Sequence, residues 1–337
     1  MYKNKIKVGV IGLGVGNRHA RIYHNMNECS LQMVCDINKK TLKDFNLDDK
    51  NIFKTQDYKK LISNPNLDLI SIASYDNYHA TQVLECLKFK KHVFVEKPIC
   101  LNESELNKIV KSSKLKPSIK LSSNFVLRSS ENFKYIKTLI DKKKVGTIYH
   151  LEGEYNYGRL KKLTEGWRGQ IPFYSVVYGG AVHIIDLIIW LTGKKVMEVS
   201  STGNNISTKK SIFKFNDTVV SIFKFFDGST AKITSNFASV CPHHHTLNIY
   251  GTKKTITHNI DGTNFFSTRN PNIKHKKLKI IKKNSDKDKI IQSFVKSIYY
   301  KKKTAIVKKS EIFDVMSISL AIEKSVKTNK WVKVKYT

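Results

Sequence analysis

The chain has 337 residues, which suits two domains of ordinary size rather than one small core. Its mean hydropathy of -0.35 and hydrophobic content of 40% are typical of a globular protein in water. Its longest apolar run, residues 181–191, is far shorter than the roughly 20 residues of a membrane span. These features exclude membrane-spanning proteins from the expected classes.

The net charge of +33 comes from 60 Lys and Arg residues against 27 Asp and Glu residues. The lysines are spread over the whole chain and accompany no recognised nucleic-acid motif, so we expect no specific nucleic-acid partner. A solvated basic surface would still attract anionic small molecules.

The five cysteines are odd in number and scattered, with no C-x-x-C pair. This pattern argues against a disulfide framework and against a zinc site. Residues 1–16 are basic and then apolar, as in a signal peptide. Three glycines interrupt the apolar part, and Arg18 and His19 replace the small residues of a cleavage site. We therefore expect a cytoplasmic protein.

Residues 6–11 are predicted to form a strand, residues 12–16 a glycine-rich turn (G-L-G-V-G) and residues 17–26 a helix. Glycines in such a turn allow the backbone to approach a pyrophosphate, which would rest on the N-terminus of the helix. A plain turn between strand and helix is the alternative interpretation.

A second predicted strand, residues 31–35, ends at Asp36, 24 residues after Gly12. A carboxylate there can accept hydrogen bonds from both ribose hydroxyls and would repel a 2′-phosphate, which favours NAD over NADP. Lys39 and Lys40 follow closely and could compensate a phosphate.

The alternation then continues with predicted helices at 57–63, 78–88 and 103–112 and predicted strands at 67–73, 93–95 and 119–122. Regular alternation of this kind predicts a parallel, doubly wound sheet. The loops carrying Gly12, Asp36, Ser74 and Lys97 then share the C-terminal edge of the strands, where ligands bind in open α/β sheets.

Residues 92–98 read H-V-F-V-E-K-P, a short buried strand that ends in a carboxylate, an amine and a proline. Lys97, fixed at the end of a strand, is a candidate acid or base. A solvated turn lysine is the alternative.

After residue 122 the pattern changes to successive strands, predicted at 148–157, 196–203, 211–215, 218–226, 230–237 and 246–250. They indicate a large, mainly antiparallel sheet. One helix, residues 183–191, is expected to end at Gly193, and another follows late in the chain at residues 312–322. We predict two domains, 1–122 and 123–337.

These motifs resemble those of the glucose-fructose oxidoreductase and inositol dehydrogenase family, also written Gfo/Idh/MocA. The chain carries E-K-P after a glycine-rich first turn, and H-x-x-D-x-x-x-W-x-x-G at residues 183–193. Looser matches are residues 74–79, similar to T-P-x-x-x-H, and residues 124–128, similar to N-x-x-x-R.

The resemblance implies an N-terminal Rossmann domain that binds NAD(P) and a C-terminal α+β domain whose open sheet shapes the substrate pocket and forms a homodimer or homotetramer. It also implies that Lys97 and His183 flank the carbon that exchanges hydride. The cofactor-binding residues expected from the motifs are Gly12, Gly14, Val15, Gly16, Asp36, Ser74, His79, Glu96, Lys97 and Asn124. The substrate-binding residues expected are Lys97, Arg128, Tyr157, Arg159, Trp167, Arg168, His183 and Asp186.

Two departures from the family pattern stand out. The glycine loop is one residue short, and His19 arrives correspondingly early. Many members also carry an aspartate four positions before the histidine, where this chain has Gly179. The resemblance then implies a Lys97 and His183 pair in place of a Lys, Asp, His triad.

Several of these residues have a second interpretation. His183 lies in an apolar run and could be a core histidine, and Asp186, one turn later, could be a helix-face hydrogen-bond partner. Arg159, Trp167 and Arg168 could belong to a surface loop. The run His243 to His245 does not predict a metal site, because strand neighbours point to opposite faces and no carboxylate or cysteine cluster accompanies them.

The function predicted is hydride transfer between nicotinamide and a hydroxyl or ketone carbon of a sugar, nucleotide-sugar or cyclic polyol. Arginines and the positive charge favour an anionic substrate. The alternative is a catalytically silent, dinucleotide-binding sensor of the same fold, with which the loss at Gly179 would agree.

Overall fold

The computed structural model describes residues 4–47, 49, 51–278, 287–301 and 304–337. Its contacts divide the chain into two compact units. The first comprises Met1–Phe125 and Ser285–Met316 with Thr337, and the second comprises Val126–Asn284 and Ser317–Tyr336.

The first unit contains a six-stranded sheet in the order β3-β2-β1-β4-β5-β6. Every neighbouring pair of its strands is parallel, which confirms the predicted doubly wound sheet. Its strands are β1 (Ile6–Ile11), β2 (Cys29–Cys35), β3 (Phe53–Thr55), β4 (Leu69–Ile72), β5 (His92–Val95) and β6 (Leu121–Ser123). Its helices are α1 (Gly16–His24), α2 (Lys39–Asp44), α3 (Tyr58–Ser63), α4 (His79–Lys88) and α5 (Glu103–Lys114).

The central strands of this sheet are buried because helices follow each of them and cover both faces. The strand order reverses between β1 and β4, and a crevice at the C-terminal ends of the strands is expected at such a reversal. The loops after β1, β2, β4 and β5 all begin at this edge.

The second unit contains the remaining strands and most of the later helices. Its elements up to residue 278 are α6 (Glu131–Asp141), β7 (Ile148–Asn156), α7 (Lys161–Thr164), α8 (Val182–Thr192), β8 (Val196–Asn204), β9 (Thr218–Phe225), β10 (Thr230–Asn236), β11 (His244–Gly251), β12 (Thr255–Asn259), β13 (Gly262–Phe266) and β14 (Lys276–Leu278). The chain then forms α9 (Asp288–Tyr299), α10 (Lys309–Thr328) and β15 (Val332–Lys333).

Nine strands form one sheet in the order β14-β13-β12-β11-β7-β10-β9-β8-β15. Among these described strands, only the central β7 and β10 pair in parallel, so the predicted mainly antiparallel sheet is confirmed. Helix α8 packs on this sheet so closely that a Cβ at Gly153 of β7 would lie 2.3 Å from Cγ2 of Ile184. Gly193 ends α8 in the left-handed conformation, with φ of 68°, as its position predicted.

The prediction of a strand at residues 211–215 is wrong. Ser211 forms local hydrogen bonds instead: its hydroxyl donates to the carbonyl of Thr208 and accepts from the N–H of Phe213. Such side-chain bonds compete with a sheet ladder, and the segment forms turns around the buried ring of Phe213.

Helix α9, which the sequence pattern did not reveal, belongs to the first unit. The ring of Phe294 lies 5.7 Å from that of Phe94 on β5, and Arg18 on α1 pairs with Asp288 at 2.7 Å. Among the described residues, no helix is both long enough and apolar enough to cross a membrane.

Candidate active site

The glycine loop between β1 and α1 is tightly packed at one glycine and open at another. Gly12 has φ of +83°, and a Cβ there would lie 2.4 Å from the carbonyl oxygen of Ala73. At Gly14 a Cβ would meet no atom within 4 Å, so this part of the loop is open to a ligand. Val15 precedes α1 as its N-cap residue without a side-chain hydrogen bond, and the first turn contains no acidic residue. The amides of this turn therefore suit a phosphate.

Asp36 lies at the end of β2 beside this loop. One carboxylate oxygen accepts from the N–H of Leu13 at 2.7 Å, and the other accepts from the N–H of Asn38 at 2.8 Å. The negative charge is therefore held in a fixed position next to the glycine turn. The two groups that the sequence placed at this sheet edge, the turn and the carboxylate, are brought together.

His79 joins the loop after β4 to the loop after β5. Its buried ring lies with Nδ1 2.6 Å from the carbonyl oxygen of Pro98 and Nε2 3.1 Å from that of Ser74. The hydroxyl of Ser74 donates to Gln82 at 2.7 Å. Pro98 follows a cis peptide bond with Lys97. His79 thus ties the backbone after β4 to the backbone after β5.

Glu96 is the charged centre of the E-K-P segment. One of its oxygens accepts from the side-chain amide of Asn124 at 2.6 Å and lies 3.2 Å from Nε2 of His19. Burial raises the pKa of Glu96, but His19, the charge of Lys97 and the bond from Asn124 outweigh it and lower the pKa to about 2. Lys97 therefore follows a carboxylate that is ionised at neutral pH, and Lys97 is itself half-buried.

His19 lies nearer to the first glycine than in the family pattern, because the glycine loop is one residue short. Its side chain is held by specific contacts. Its ring is buried, with Nδ1 3.0 Å from the hydroxyl of Ser71 on β4 and its edge against the ring of Phe94. The sequence did not indicate His19 as a site residue. Its contact with Glu96 could not be read from the sequence.

In the second unit, Arg128 and Asp186 form a buried ion pair. Nε of Arg128 lies 3.1 and 3.0 Å from the two carboxylate oxygens, and Nη2 lies 2.6 Å from one of them. The side chains are 1% and 0% exposed. Two buried groups that neutralise each other present little charge to a ligand, and a substrate contact by Arg128 or Asp186 stays a prediction.

His183 lies on α8 against an aromatic cluster on the sheet. Its ring stacks on Tyr155 at 5.8 Å and 19°, and Tyr155 in turn stacks on Tyr157 at 5.7 Å and on Phe237 at 5.6 Å. Burial raises the pKa of Tyr155 well above its ordinary value, so its hydroxyl stays protonated. His183 is thus held by a neutral aromatic partner.

Two arginines lie over aromatic rings in the same unit. The guanidinium of Arg159 lies 5.3 Å from the ring of Tyr157, and that of Arg168 lies 4.6 Å from the ring of Trp167. Arg168 also donates from Nε to the hydroxyl of Tyr174 at 3.0 Å. Both cations are therefore positioned by stacking, a geometry suited to sugar rings and anionic groups.

His243 and His245 are further members of the cluster that sequence reasoning missed. Their rings lie 5.0 and 5.2 Å from that of Tyr155. Their spacing of two, at and just before the start of β11, could have indicated a shared face. Across the part of the chain that the structure describes, no group of three or more His, Cys, Asp or Glu residues is arranged to hold a metal ion.

The predicted site residues are divided between the units. Those in the first are Gly12, Gly14, Val15, Gly16, Asp36, Ser74, His79, Glu96, Lys97 and Asn124. Those in the second are Arg128, Tyr157, Arg159, Trp167, Arg168, His183 and Asp186.

Two family profiles match the chain. The family profile described as "Oxidoreductase family, NAD-binding Rossmann fold" matches residues 6–125. The profile of the GFO/IDH/MocA C-terminal domain matches residues 133–257.

Among curated proteins, the chain is 28% identical over 262 residues to the myo-inositol 2-dehydrogenase of Thermotoga maritima, covering 74% of each chain. The fold is similar to that of levoglucosan dehydrogenase in complex with NADH, with a TM-score of 0.86 and 19% identity over 99% of this chain and 100% of that chain. Myo-inositol 2-dehydrogenase from Lactobacillus plantarum gives a TM-score of 0.81 with 20% identity, over 98% and 100% of the two chains. The chain belongs to the Gfo/Idh/MocA family of NAD-binding oxidoreductases, as its motifs predicted.

Proposed function

We propose that the protein is an NAD-dependent dehydrogenase acting on a CH–OH carbon of a sugar or cyclic polyol. The observation that carries the proposal is the segment Glu96-Lys97-Pro98 at the ligand edge of the Rossmann sheet, anchored by Asn124 and His79. An amine fixed at this edge is poorly explained as a surface lysine. It is well suited to proton transfer.

Bound NAD would supply the hydride acceptor at this edge. Gly12, Gly14 and the first turn of α1 fit its pyrophosphate, because the loop is open at Gly14 and the first turn of α1 contains no acidic residue. Asp36 would accept from the ribose hydroxyls. Its fixed negative charge supports NAD over NADP, whose 2′-phosphate it would repel.

Lys97 is proposed as the principal base for the hydroxyl proton. Oxidation of an alcohol requires removal of this proton as the hydride leaves. The ionised carboxylate of Glu96, itself held by Asn124, would keep the segment in place without competing for the proton, since its pKa is about 2. His183 is proposed as a second proton-transfer group.

The substrate proposed is a polyhydroxylated ring with an anionic group. Arg159 and Arg168 lie as cations over the rings of Tyr157 and Trp167. Guanidinium groups suit carboxylates and phosphates, and the face of Trp167 that Arg168 does not cover would suit the apolar face of a sugar ring. We further propose that residues 1–122 serve the cofactor and residues 123–337 the substrate.

The environment and assembly are also proposed. All five cysteines are free thiols, which supports a reducing, cytoplasmic compartment.

Exposed apolar side chains along β9 and near β15, namely Ile222, Phe226 and Trp331, support a homodimer or homotetramer through the large sheet. Sedimentation of wild type and Phe226→Glu tests this, because an interface here requires the variant to dissociate.

A screen of purified protein tests the activity. Sugars, sugar acids, sugar phosphates, nucleotide-sugars and inositols are incubated with NAD, and NADH absorbance is followed. Turnover of at least one ring is expected. NADH binding without turnover of any of them would contradict the enzyme and favour the dinucleotide-binding sensor.

A further inference from the structure

Two adjacent glycines precede His183, and aromatic rings occupy the space that a side chain at either position would need. A Cβ at Gly179 would lie 2.0 Å from the hydroxyl oxygen of Tyr174. A Cβ at Gly180 would lie 2.5 Å from Cδ1 of Tyr155 and 2.6 Å from Cε2 of Phe237. Neither position can carry a side chain while these rings keep their places.

Tyr174 is rigidly held. Its side chain is 3% exposed, and its ring packs edge-on against Trp167 at 5.9 Å and Phe213 at 6.0 Å. The next residue, Ser175, accepts from the N–H of Val177 at 3.0 Å and so caps the turn that contains Gly179. The hydroxyl of Tyr174 therefore has a fixed position beside the backbone of Gly179.

That hydroxyl holds a cation. Arg168 donates to it from Nε at 3.0 Å, and the guanidinium carbon lies 4.6 Å from the ring of Trp167 and 5.6 Å from that of Tyr174. A carboxylate at position 179 would place a negative charge in the same space. This chain instead fills the space with a phenol that orients a positive charge.

Arg168 also interacts electrostatically with the aromatic cluster around His183. Burial raises the pKa of Tyr155, and Arg168 is close enough to oppose that rise. Tyr155 is the ring on which His183 stacks. Arg168 therefore belongs to the electrostatic surroundings of the proposed substrate pocket.

We propose that Tyr174 is a positioning residue that, together with Gly179, fixes Arg168 as the group that binds a carboxylate or phosphate on the substrate ring. This inference rests on the proposed function for the identity of the ring. The binding claim can be tested separately from the identity of the ring. Anionic rings should bind through Arg168, and only while the hydroxyl of Tyr174 orients the guanidinium group.

The test measures dissociation constants by calorimetry for three rings: neutral myo-inositol, glucuronate with a carboxylate, and glucose 6-phosphate with a phosphate. Wild type is compared with Tyr174→Phe, which keeps the ring and removes the hydroxyl, and with Arg168→Met. Lys161→Met is the matched control, because this side chain is 86% exposed and its loss removes the same charge from the same unit. Where a ring is turned over, KM and kcat are measured as well.

Wild type is expected to bind at least one anionic ring more tightly than the neutral ring. Tyr174→Phe should weaken that binding about 10-fold, as loss of a hydrogen bond to a charged group does, and Arg168→Met about 100-fold. Both variants should weaken the anionic rings more than the neutral ring and should raise KM more than they lower kcat, and Lys161→Met should change neither affinity. The carboxylate and phosphate arms show which anion is recognised.

The inference is overturned if wild type binds neither anionic ring, or if Tyr174→Phe weakens neutral and anionic rings equally. Failure of the proposed function looks different, because binding would follow this pattern while no ring is oxidised. Gly179→Ala adds a second test, since its Cβ must displace the hydroxyl of Tyr174 and should reproduce the Tyr174→Phe pattern. If Gly179→Ala does not fold, the Tyr174→Phe result decides alone.

Discussion

Arg128→Met should destabilise the protein strongly, because it leaves Asp186 charged and buried without its guanidinium partner. Asp186 is 0% exposed and Arg128 is 1% exposed, and their bidentate contact joins the start of the second unit to α8. Methionine fills a similar volume, so the main loss is the charge partner. The change therefore isolates the electrostatic term.

The expected cost is about 3–5 kcal/mol, the range for removing one partner of a buried ion pair. A typical domain has a total stability of about 5–15 kcal/mol, so a large share would be lost. Replacing both groups, Arg128→Met with Asp186→Leu, should recover most of the loss, because no uncompensated charge remains. Comparing the single and double variants thus separates the cost of an unpaired buried charge from the contribution of the whole ion pair.

Urea unfolding, followed by tryptophan fluorescence and circular dichroism, measures these free energies. Lys134→Met is the control: it breaks a half-exposed pair with Glu131 on α6 and should cost less than about 1 kcal/mol. If Arg128→Met costs less than about 1 kcal/mol and weakens substrate binding instead, the pair belongs to a ligand site and the reasoning is refuted.

Three further predictions concern the cofactor domain. The pKa of Glu96 falls from 4.5 to about 2 on folding, so its charge stabilises the protein by about 3 kcal/mol above pH 4.5, and this contribution disappears as the pH falls towards 2. Glu96→Gln should therefore be less stable than wild type at pH 7 in urea titrations and approach it near pH 2; a gap that is constant with pH would contradict this. Asp36→Asn should improve affinity for NADPH relative to NADH by about 10-fold in fluorescence titrations, and an unchanged ratio would show that Asp36 does not select the cofactor. Gly12→Ala should lower both stability and NADH affinity because its Cβ meets Ala73, whereas Gly14→Ala, with open space, should lower affinity alone; equal melting temperatures for the two would contradict the assignment.

The first sheet could be predicted well because its signals are local. β1 runs from Ile6 to Ile11 as predicted, since an apolar run followed by glycines fixes both ends. The later boundaries shifted by one or two residues, where caps rather than hydrophobic periodicity decide. Asp57, for example, precedes α3 as its N-cap and accepts from the N–H of Lys59.

The remaining features depend on partners distant in sequence. Nothing near Arg128 indicates that Asp186, 58 residues later, will neutralise it. Position 179 looked like a loss in the sequence, because the tyrosine that fills its space lies in an irregular loop five residues earlier. The strand prediction at residues 211–215 was wrong because the hydroxyl of Ser211 forms local hydrogen bonds with the backbone.

The measurement that tests the central claim most directly is turnover of Lys97→Met beside its NADH affinity. With the ring found by the screen, the variant should lose turnover by about 10² to 10⁴, the usual contribution of a positioned acid or base, while its dissociation constant for NADH stays within a few-fold of wild type. Lys88→Met, an exposed lysine on α4, controls for the loss of one charge. Near wild-type turnover by Lys97→Met would contradict the role assigned to this lysine.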